Sequence, residues 1–183
     1  MLRGNRVGLR ARHESDIPVL LDELYNDVAT RSRADSRPWV PIPDGDNGPP
    51  YSVKDLPDSV VCFSVVDLEE QALVGEALLW GLDVHNRLAH LGMSLRPRYR
   101  GRGLATDVVQ VLCHYGFVVR GLNRLQIDTL ADNTAMLRAA TSAGFVVEGT
   151  LRKAAWVTGE FVDEVLLGLL RDEWRAGGDG ADR

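Results

Sequence analysis

The sequence predicts a mixed β-sheet with helices on its faces, an α+β or α/β layered fold. The chain has 183 residues, of which 45% are hydrophobic and 26% charged, the composition of an ordinary globular domain. Hydrophobic periodicity gives the order strand, helical region, three-strand meander, helix, strand, helix and hairpin. An antiparallel meander followed by alternating helices and strands implies helices layered on a sheet of mixed strand direction.

Apolar spacing and the residues that end each segment predict the individual elements. Strands are expected over residues 7–10, 60–66, 73–80, 88–95, 125–130, 146–157 and 161–170, about seven in all. Helices are expected over residues 14–26 and 104–119, and after Asp132 or Asn133. Ser15 or Asp16 is predicted to cap the first helix, since short polar side chains favour that position.

Residues 38–57 differ from the rest of the chain because they hold six of its eight prolines. Proline removes a backbone donor, so this stretch is predicted to be a long loop rather than a regular element. Such a loop is either functional or a tolerated insertion. Glycine, aspartate and alanine dominate from Arg175 onward, and residues 175–183 are expected to form a flexible tail.

Composition and charge disfavour several classes of protein. No apolar run reaches the roughly 18 residues of a membrane span, and residues 1–12 lack a signal-peptide core, so we expect a cytoplasmic protein. The net charge of −5 argues against a nucleic-acid partner. Cys62 and Cys113 cannot form a disulfide framework, and no Cys-x-x-Cys or His-Glu-x-x-His motif is present. We therefore expect no metal.

The stretch of residues 91–105 carries the most chemical information. A strand ends at Arg96-Pro97, a loop follows that reads Arg-Tyr-Arg-Gly-Arg-Gly over residues 98–103, and a helix begins at once. Glycines allow backbone N–H groups to approach a ligand closely, and the start of a helix favours an anion. Neighbouring arginines add charge-assisted hydrogen bonds. The loop is therefore predicted to bind a diphosphate.

Three kinds of phosphate loop are compatible with this pattern to different degrees. A P-loop requires a lysine that the loop lacks. A dinucleotide-binding loop requires a third glycine where Thr106 stands, although Asp128 has roughly the spacing of its acidic residue. The preceding antiparallel meander also disfavours that fold. The third alternative is a site for the pyrophosphate of coenzyme A.

Residues 98–103 match the Arg/Gln-x-x-Gly-x-Gly/Ala motif of the GCN5-related N-acetyltransferase (GNAT) superfamily, and the chain resembles its ribosomal-protein-alanine acetyltransferase branch. Further matching segments are spread along the chain: residues 6–10 with Asp16, 73–76, Asn133, 144–145, 148–152, 159–163 and 173–174. The resemblance covers about residues 5–174. It implies a GNAT fold with a splayed central sheet, and one N-acetyltransferase domain over residues 1–174.

The resemblance also implies which residues bind acetyl-CoA, the expected co-substrate. The pantetheine arm is expected to pair with the strand edge as an added β-strand would, and an N–H of Met93 or Ser94 to stabilise the oxyanion. Asn133 is expected to contact the pantetheine. Arg138 either reaches the 3′-phosphate or is simply solvated. The full set of expected coenzyme residues is Met93, Ser94, Leu95, Arg98, Arg100, Gly101, Arg102, Gly103, Leu104, Ala105, Asn133 and Arg138.

Two residues are candidates for the base that deprotonates the acceptor amine. His90 lies two residues before Gly92 in the splayed strand, and a free imidazole has a suitable pKa of about 6.5. Glu76 lies on the neighbouring strand and could reach the same cleft. Each has a structural alternative: His90 as a hydrogen-bonded strand residue, and Glu76 as a carboxylate paired with an arginine.

The general acid is not assigned from the sequence. Many members of the superfamily place a tyrosine seven residues after the asparagine, where this chain has Ala140. Either solvent or a residue of the proline-rich loop must then protonate the thiolate, and Tyr51 is a weak candidate. Ala140 also keeps open a second class of function, a non-catalytic acyl-CoA-binding module.

The acceptor is expected to be a primary amine, on a protein N-terminus or a small molecule. Trp39, Trp80 and Trp156 are either walls of its pocket or core residues. The acidic segment of residues 44–58, which overlaps the proline-rich loop near the acceptor site, could attract a cation. No nucleic acid or membrane partner is expected, and relatives of this kind include monomers and homodimers.

Overall fold

The computed structural model describes residues 1–43, 51 and 56–174. It contains eight strands, β1 to β8, which are Leu2–Arg3, Val7–Arg10, Val60–Asp67, Leu73–Asp83, Leu88–Leu95, Arg124–Leu130, Val146–Val157 and Glu160–Leu170. Its α-helices, α1 to α4, are Ile17–Leu20, Val28–Ala34, Leu104–His114 and Thr134–Ser142. Short 3-10 helices lie at Glu14–Asp16 and Pro97–Tyr99, and π-helical turns lie at Leu21–Tyr25 and Tyr115–Val119.

All eight strands form one sheet in the order β1-β2-β3-β4-β5-β6-β8-β7. Neighbouring strands are antiparallel except for β5 and β6, which are parallel. The junction between β5 and β6 holds three residue pairs, whereas β6 and β8 share seven. The predicted mixed sheet, splayed between β5 and β6, is therefore confirmed.

Helices cover both faces of the sheet, because successive side chains of each strand point to opposite faces and both faces carry apolar residues. In β3, Val65 enters the main core under α3, while Ser64 faces the other way and bonds Asp16 beside α1. The main core joins α3 and α4 to the sheet through apolar residues that include Leu79, Leu91, Val108, Leu112, Leu125, Ala140 and Leu167. A smaller cluster under α1 consists of Ile17, Leu20, Leu24, Tyr25 and Tyr51.

Asp107 of α3 fastens the beginning of the chain to the rest of the fold. Its carboxylate accepts backbone N–H groups of Asn5, Arg6 and Val7 at 3.0, 2.7 and 2.9 Å. A side chain on Gly4 would collide with this carboxylate, since its Cβ would lie 2.5 Å from Oδ1. The first long strand is thereby fixed against the helix that follows the glycine-containing loop.

Most predicted elements agree with the structure, and three differ. The sheet has eight strands rather than about seven, because the two-residue strand β1 is too short for a periodic signal. Helix α2 was not predicted. The predicted cap of the first helical segment is wrong: its N-cap is His13, not Ser15 or Asp16, and Asp16 lies inside the first turn, where its carboxylate accepts the His13 N–H at 2.8 Å.

Parts of two predicted regions lie outside the described residues. In the proline-rich stretch of residues 38–57 these are 44–50 and 52–55, and the tail of residues 175–183 lies outside entirely. The proposed domain limits of residues 1–174 stay a prediction. Within residues 1–43, 51 and 56–174, no helix has the length and apolar character to cross a bilayer.

Candidate active site

The sheet opens between β5 and β6 just after His90. The last residue pair of the junction is His90 with Gln126, yet β5 continues to Leu95 and β6 to Leu130. Beyond His90, β5 keeps its pairing with β4 while β6 keeps its pairing with β8. One edge of the strand over residues 91–95 therefore faces a gap in the sheet.

Backbone alternation determines which amides face this gap. The Arg96 N–H donates to the Val74 carbonyl at 2.9 Å, on the β4 side. Because backbone groups alternate direction along a strand, the Ser94 N–H also points to β4, and the Met93 N–H points into the gap. Of the two predicted oxyanion donors, Met93 therefore has the suitable direction and Ser94 does not.

The loop of residues 98–103 lies at the end of the gap and leads into α3. Gly101 and Gly103 have left-handed backbone angles, with φ of 72° and 76°. A Cβ at Gly101 would meet nothing within 4 Å, so its backbone is open to a ligand. Leu104 anchors the helix in the core at 1% exposure. The first amides of α3 have no side-chain cap and can donate to an anion.

The three loop arginines are exposed, and each has a contact that limits its movement. Arg100 donates from Nε to the last carbonyl of β5 at 2.9 Å. Arg102 bonds Glu70 at 2.8 Å. Arg98 lies over the Tyr99 ring, 5.0 Å from its centroid. Such preordered cations around open amides suit a diphosphate.

Of the two predicted coenzyme residues at α4, the capping residue Asn133 is less available than expected. Asn133 Oδ1 accepts the Met136 N–H at 3.2 Å, and its Nδ2 donates to Thr129 Oγ1 at 3.1 Å. The amide thus caps α4 with both ends bonded, and a coenzyme contact would use its remaining capacity. Arg138 is exposed on α4. Ala140, at the position of the tyrosine in similar proteins, is fully buried in the core.

His90 stands at the mouth of the gap and contacts both neighbouring strands. Its Nδ1 lies 2.6 Å from Asp128 Oδ2 of β6. Its ring stacks on Trp80 of β4, with centroids 4.1 Å apart and planes 22° apart. Burial alone would raise the pKa of Asp128, but hydrogen bonds from His90 and Gln126 outweigh it and hold the pKa below its ordinary value.

Glu76 lies on the same face of the sheet but in a closed environment. Its carboxylate bonds Arg12 at 2.8 Å, and the two side chains are 8% and 3% exposed. Burial raises the pKa of Glu76, while Arg12 and a hydrogen bond to Tyr51 partly offset this. Burial likewise raises the pKa of the Tyr51 phenol. The predicted pairing with an arginine is present, and Arg12 was not foreseen.

The tryptophans of the predicted acceptor pocket lie at the surface. Trp39, Trp80 and Trp156 are 37%, 41% and 61% exposed. The alternative of core packing is therefore wrong for all three. Trp80 borders the gap through its stacking on His90, whereas Trp156 contacts Phe161 at the tip of the last hairpin.

Asp128 is the site residue that sequence reasoning misplaced, since it was considered only as a ribose ligand. A weak signal existed: Gln126 and Asp128 are polar residues that alternate with apolar ones in β6. Such alternation indicates a polar sheet face, but the partner lies 38 residues away in the sequence.

Comparison with known proteins agrees with this geometry. The sequence matches the acetyltransferase (GNAT) domain over residues 6–146. The chain belongs to the GNAT acetyltransferase family. The structure superposes on the crystal structure of spermidine N-acetyltransferase from Vibrio cholerae in complex with CoA and spermine, with a TM-score of 0.77 and 20% identity. That match covers 92% of this chain and 97% of the other, and it shows the shared GNAT fold.

Two curated relatives are similar in sequence. The uncharacterized N-acetyltransferase p20 of Bacillus licheniformis is 30% identical over 112 residues, 61% of this chain and 63% of its own length. YdaF of Bacillus subtilis strain 168, described as a candidate ribosomal N-acetyltransferase, is 32% identical over 107 residues, 58% of each chain. The GNAT chain thus spans about three fifths of the length of these relatives.

Proposed function

We propose that the protein transfers the acetyl group of acetyl-CoA directly to a primary amine. The observation that carries this proposal is the unpaired edge of β5 beyond His90, which leads into a glycine-containing loop at the start of α3. Such an edge can pair with an extended pantetheine arm, and the loop amides can receive its diphosphate. No metal takes part in this proposal.

The order of the β5 edge, the loop and α4 along the gap suggests which residues would bind each part of the coenzyme. The backbone of Met93, Ser94 and Leu95 would hold the pantetheine arm, and residues 98–105 the diphosphate. The Leu95 carbonyl already accepts a hydrogen bond from Arg100, so binding would require exchange or sharing of that bond. Asn133 and Arg138 are proposed as outer contacts.

The reaction is a single displacement at the thioester carbon. The ammonium form of the acceptor loses a proton to the base, and the amine nitrogen forms a bond to the carbonyl carbon. The Met93 N–H stabilises the resulting oxyanion. The nitrogen then gives its second proton to solvent as the carbon–sulfur bond breaks, and coenzyme A leaves as a thiolate that takes a proton from solvent. Holding both reactants together supplies much of the rate.

His90 is proposed as the base in preference to Glu76. The imidazole borders the open gap with 22% of its side chain exposed. The Glu76 carboxylate is enclosed and committed to Arg12, so an amine could reach it only by displacing that partner. Tyr51 is not proposed as the acid, because it is buried beside Glu76 at 1% exposure.

The acceptor is proposed to be a protein N-terminal amine of the ribosomal-protein type or a small-molecule amine. The resemblance to the ribosomal-protein-alanine branch and the description of YdaF favour the first. The spermine in the Vibrio cholerae complex favours the second. Exposed Trp80 beside His90 provides an aromatic surface that a cationic amine could approach.

A non-catalytic acyl-CoA-binding module is the second candidate function. Ala140 favours it, because a fully buried alanine cannot protonate a leaving thiolate. The two candidates share the coenzyme site and differ only in turnover.

Thermal shifts and thiol release test the two functions. Acetyl-CoA and CoA should raise the melting temperature, since a ligand stabilises the folded state it binds, while NAD and ATP should not. Free thiol should then appear when acetyl-CoA is mixed with an N-terminal peptide, a ribosomal protein or a polyamine. A shift with NAD alone contradicts both functions. A shift with CoA but no thiol from any acceptor favours the binding module.

A further inference from the structure

We propose that Asp128 is a positioning residue that orients His90 and selects its tautomer, so that Nε2 receives the proton of the acceptor amine. This inference rests on the proposed function. Asp128 itself does not touch the amine; it acts through His90.

The bond between these residues crosses the opening of the sheet. Backbone pairing between β5 and β6 ends at His90 and Gln126, and Asp128 lies two residues farther along β6. Because side chains alternate along a strand, Gln126 and Asp128 share the face of the sheet that His90 occupies. The 2.6 Å contact between Nδ1 and Oδ2 is thus a side-chain link just past the last backbone link.

The carboxylate is fixed from its other side as well. Gln126 Nε2 donates to Asp128 Oδ1 at 2.9 Å, so each oxygen has a donor. Arg124 lies next in the same series, 3.4 Å from Gln126 Oε1 and paired with Glu148. A carboxylate held below its ordinary pKa remains an acceptor at neutral pH, and it therefore requires a proton on His90 Nδ1.

The imidazole ring has little freedom to turn away from Asp128. Trp80 covers one ring face. Gly81 approaches the ring edge so closely that a Cβ there would lie 3.2 Å from His90 Cδ2. In the described part of the chain, Nε2 has no hydrogen-bond partner. With Nδ1 protonated and bonded, the neutral ring offers its lone pair at Nε2, the nitrogen left for substrate.

The charged groups around His90 come chiefly from β6, and β7 supplies one more behind them. Asp128 contacts the ring directly, Arg124 lies behind Gln126, and Glu148 of β7 pairs with Arg124. The β4 residues that touch the ring, Trp80 and Gly81, carry no charge. Among the described residues, Asp128 is therefore the charged group in direct contact with the imidazole.

The kinetic test compares Asp128→Asn with Glu148→Gln, which removes a carboxylate from the same polar series without touching His90. Asp128→Asn should lower kcat roughly 10- to 100-fold, a part of the contribution that a correctly positioned base makes. It should leave KM for acetyl-CoA within about twofold and move the acidic limb of the pH–rate profile to lower pH. Glu148→Gln should keep the wild-type kcat and profile. Equal kinetics for both variants would overturn the positioning role.

A tautomer measurement keeps the inference testable without turnover. Ring nitrogen chemical shifts of the full-length protein, with the His90 signals assigned by their loss in His90→Gln, should show Nδ1 protonated and Nε2 bare above pH 8. Asp128→Asn should reverse or mix this pattern while its circular dichroism stays wild-type. A wild-type ring protonated at Nε2 contradicts the proposal. If the wild-type pattern is as expected but no amine is acetylated, the proposed function fails and the orientation stands.

Discussion

Two polar clusters on one face of the sheet each pair a nitrogen-bearing side chain with a carboxylate, yet they differ in access. The closed cluster consists of Arg12, Tyr51 and Glu76; its ion pair is 3% and 8% exposed. The open cluster consists of Trp80, His90 and Asp128, and its pair is 22% and 24% exposed. The comparison teaches that a polar pair where backbone pairing ends leaves one atom accessible to substrate, whereas an enclosed pair serves only to stabilise the fold.

Strand pairing explains the difference between the clusters. Glu76 has a partner strand on both sides, opposite Ser64 in β3 and Ser94 in β5. His90 is the last residue of β5 with partners on both sides. The closed cluster should therefore govern stability, and the open cluster should govern rate.

The largest expected effect is on folding, from Glu76→Ala in the closed cluster. Removing one member of a buried ion pair leaves the Arg12 charge without this carboxylate and should cost about 3–5 kcal/mol of unfolding free energy. Glu148→Ala, at a more exposed pair with Arg124, should cost no more than about 1 kcal/mol. Urea unfolding measures both. Equal losses would show that the closed cluster is not the stability centre we describe.

Next in size is a rate effect from His90→Gln in the open cluster. Loss of the general base should lower kcat about 100-fold or more, with little change in melting temperature because the site is partly exposed. Glu76→Gln, of matched chemistry, should affect stability more than kcat per folded molecule. If Glu76→Gln removes turnover and His90→Gln does not, the base belongs to the closed cluster.

Acid should weaken the polar contacts that adjoin the closed cluster. Burial alone would raise the pKa of Asp16, but hydrogen bonds from Arg10, the His13 N–H and Ser64 lower it from 3.8 to about 2. A carboxyl whose pKa is lower in the folded than in the unfolded chain stabilises the fold at pH values above the unfolded pKa. This stabilisation is lost as the pH falls from about 4 to 2. The stability gap between wild type and Asp16→Asn should shrink by about 2 kcal/mol. Urea titrations at pH 6 and pH 2 measure the gap, and a constant gap would contradict it.

The smallest expected change is in coenzyme affinity, at the loop beyond the open cluster. Gly101→Asp places a negative charge where the diphosphate is proposed to bind and should weaken CoA binding at least about tenfold. Gly101→Ala is the matched control, because it carries the same strain at φ 72° without the charge. Arg98→Ala should also weaken binding more than stability. Calorimetric titration measures affinity, and equal effects of the aspartate and alanine variants would point to a structural loop.

The fold was largely predictable because its elements have local signals. Residues 88–95 and 146–157 carry apolar patterns that end where the strands end, and both predicted ranges agree with β5 and β7. The loop of residues 98–103 was found because glycine and arginine spacing is itself the chemical signal. Strand β1 and helix α2 were missed because two and seven residues give too little periodicity.

The environments of the candidate site residues were not predictable from spacing. His90 was selected by its position before Gly92, but its bond to Asp128 joins strands brought together only by the parallel crossover. Glu76 was expected near the cleft, and its enclosure depends on Arg12, 64 residues earlier. Trp80 and Trp156 lie in apolar strands of the kind that usually form a core, yet both side chains point outward from the sheet.

Asp107 binds amides about 100 residues earlier in the chain, and this imposes an order on folding during synthesis. At roughly 5–20 residues per second, a ribosome makes α3 about 5–20 s after residues 5–7. Until then, the amides that lead into β2 lack the carboxylate that accepts their N–H groups. The amides that lead into β2 gain this acceptor only once the helix after the glycine-containing loop has been made, so fastening of the amino-terminal segment and formation of the coenzyme loop become one late, joint event.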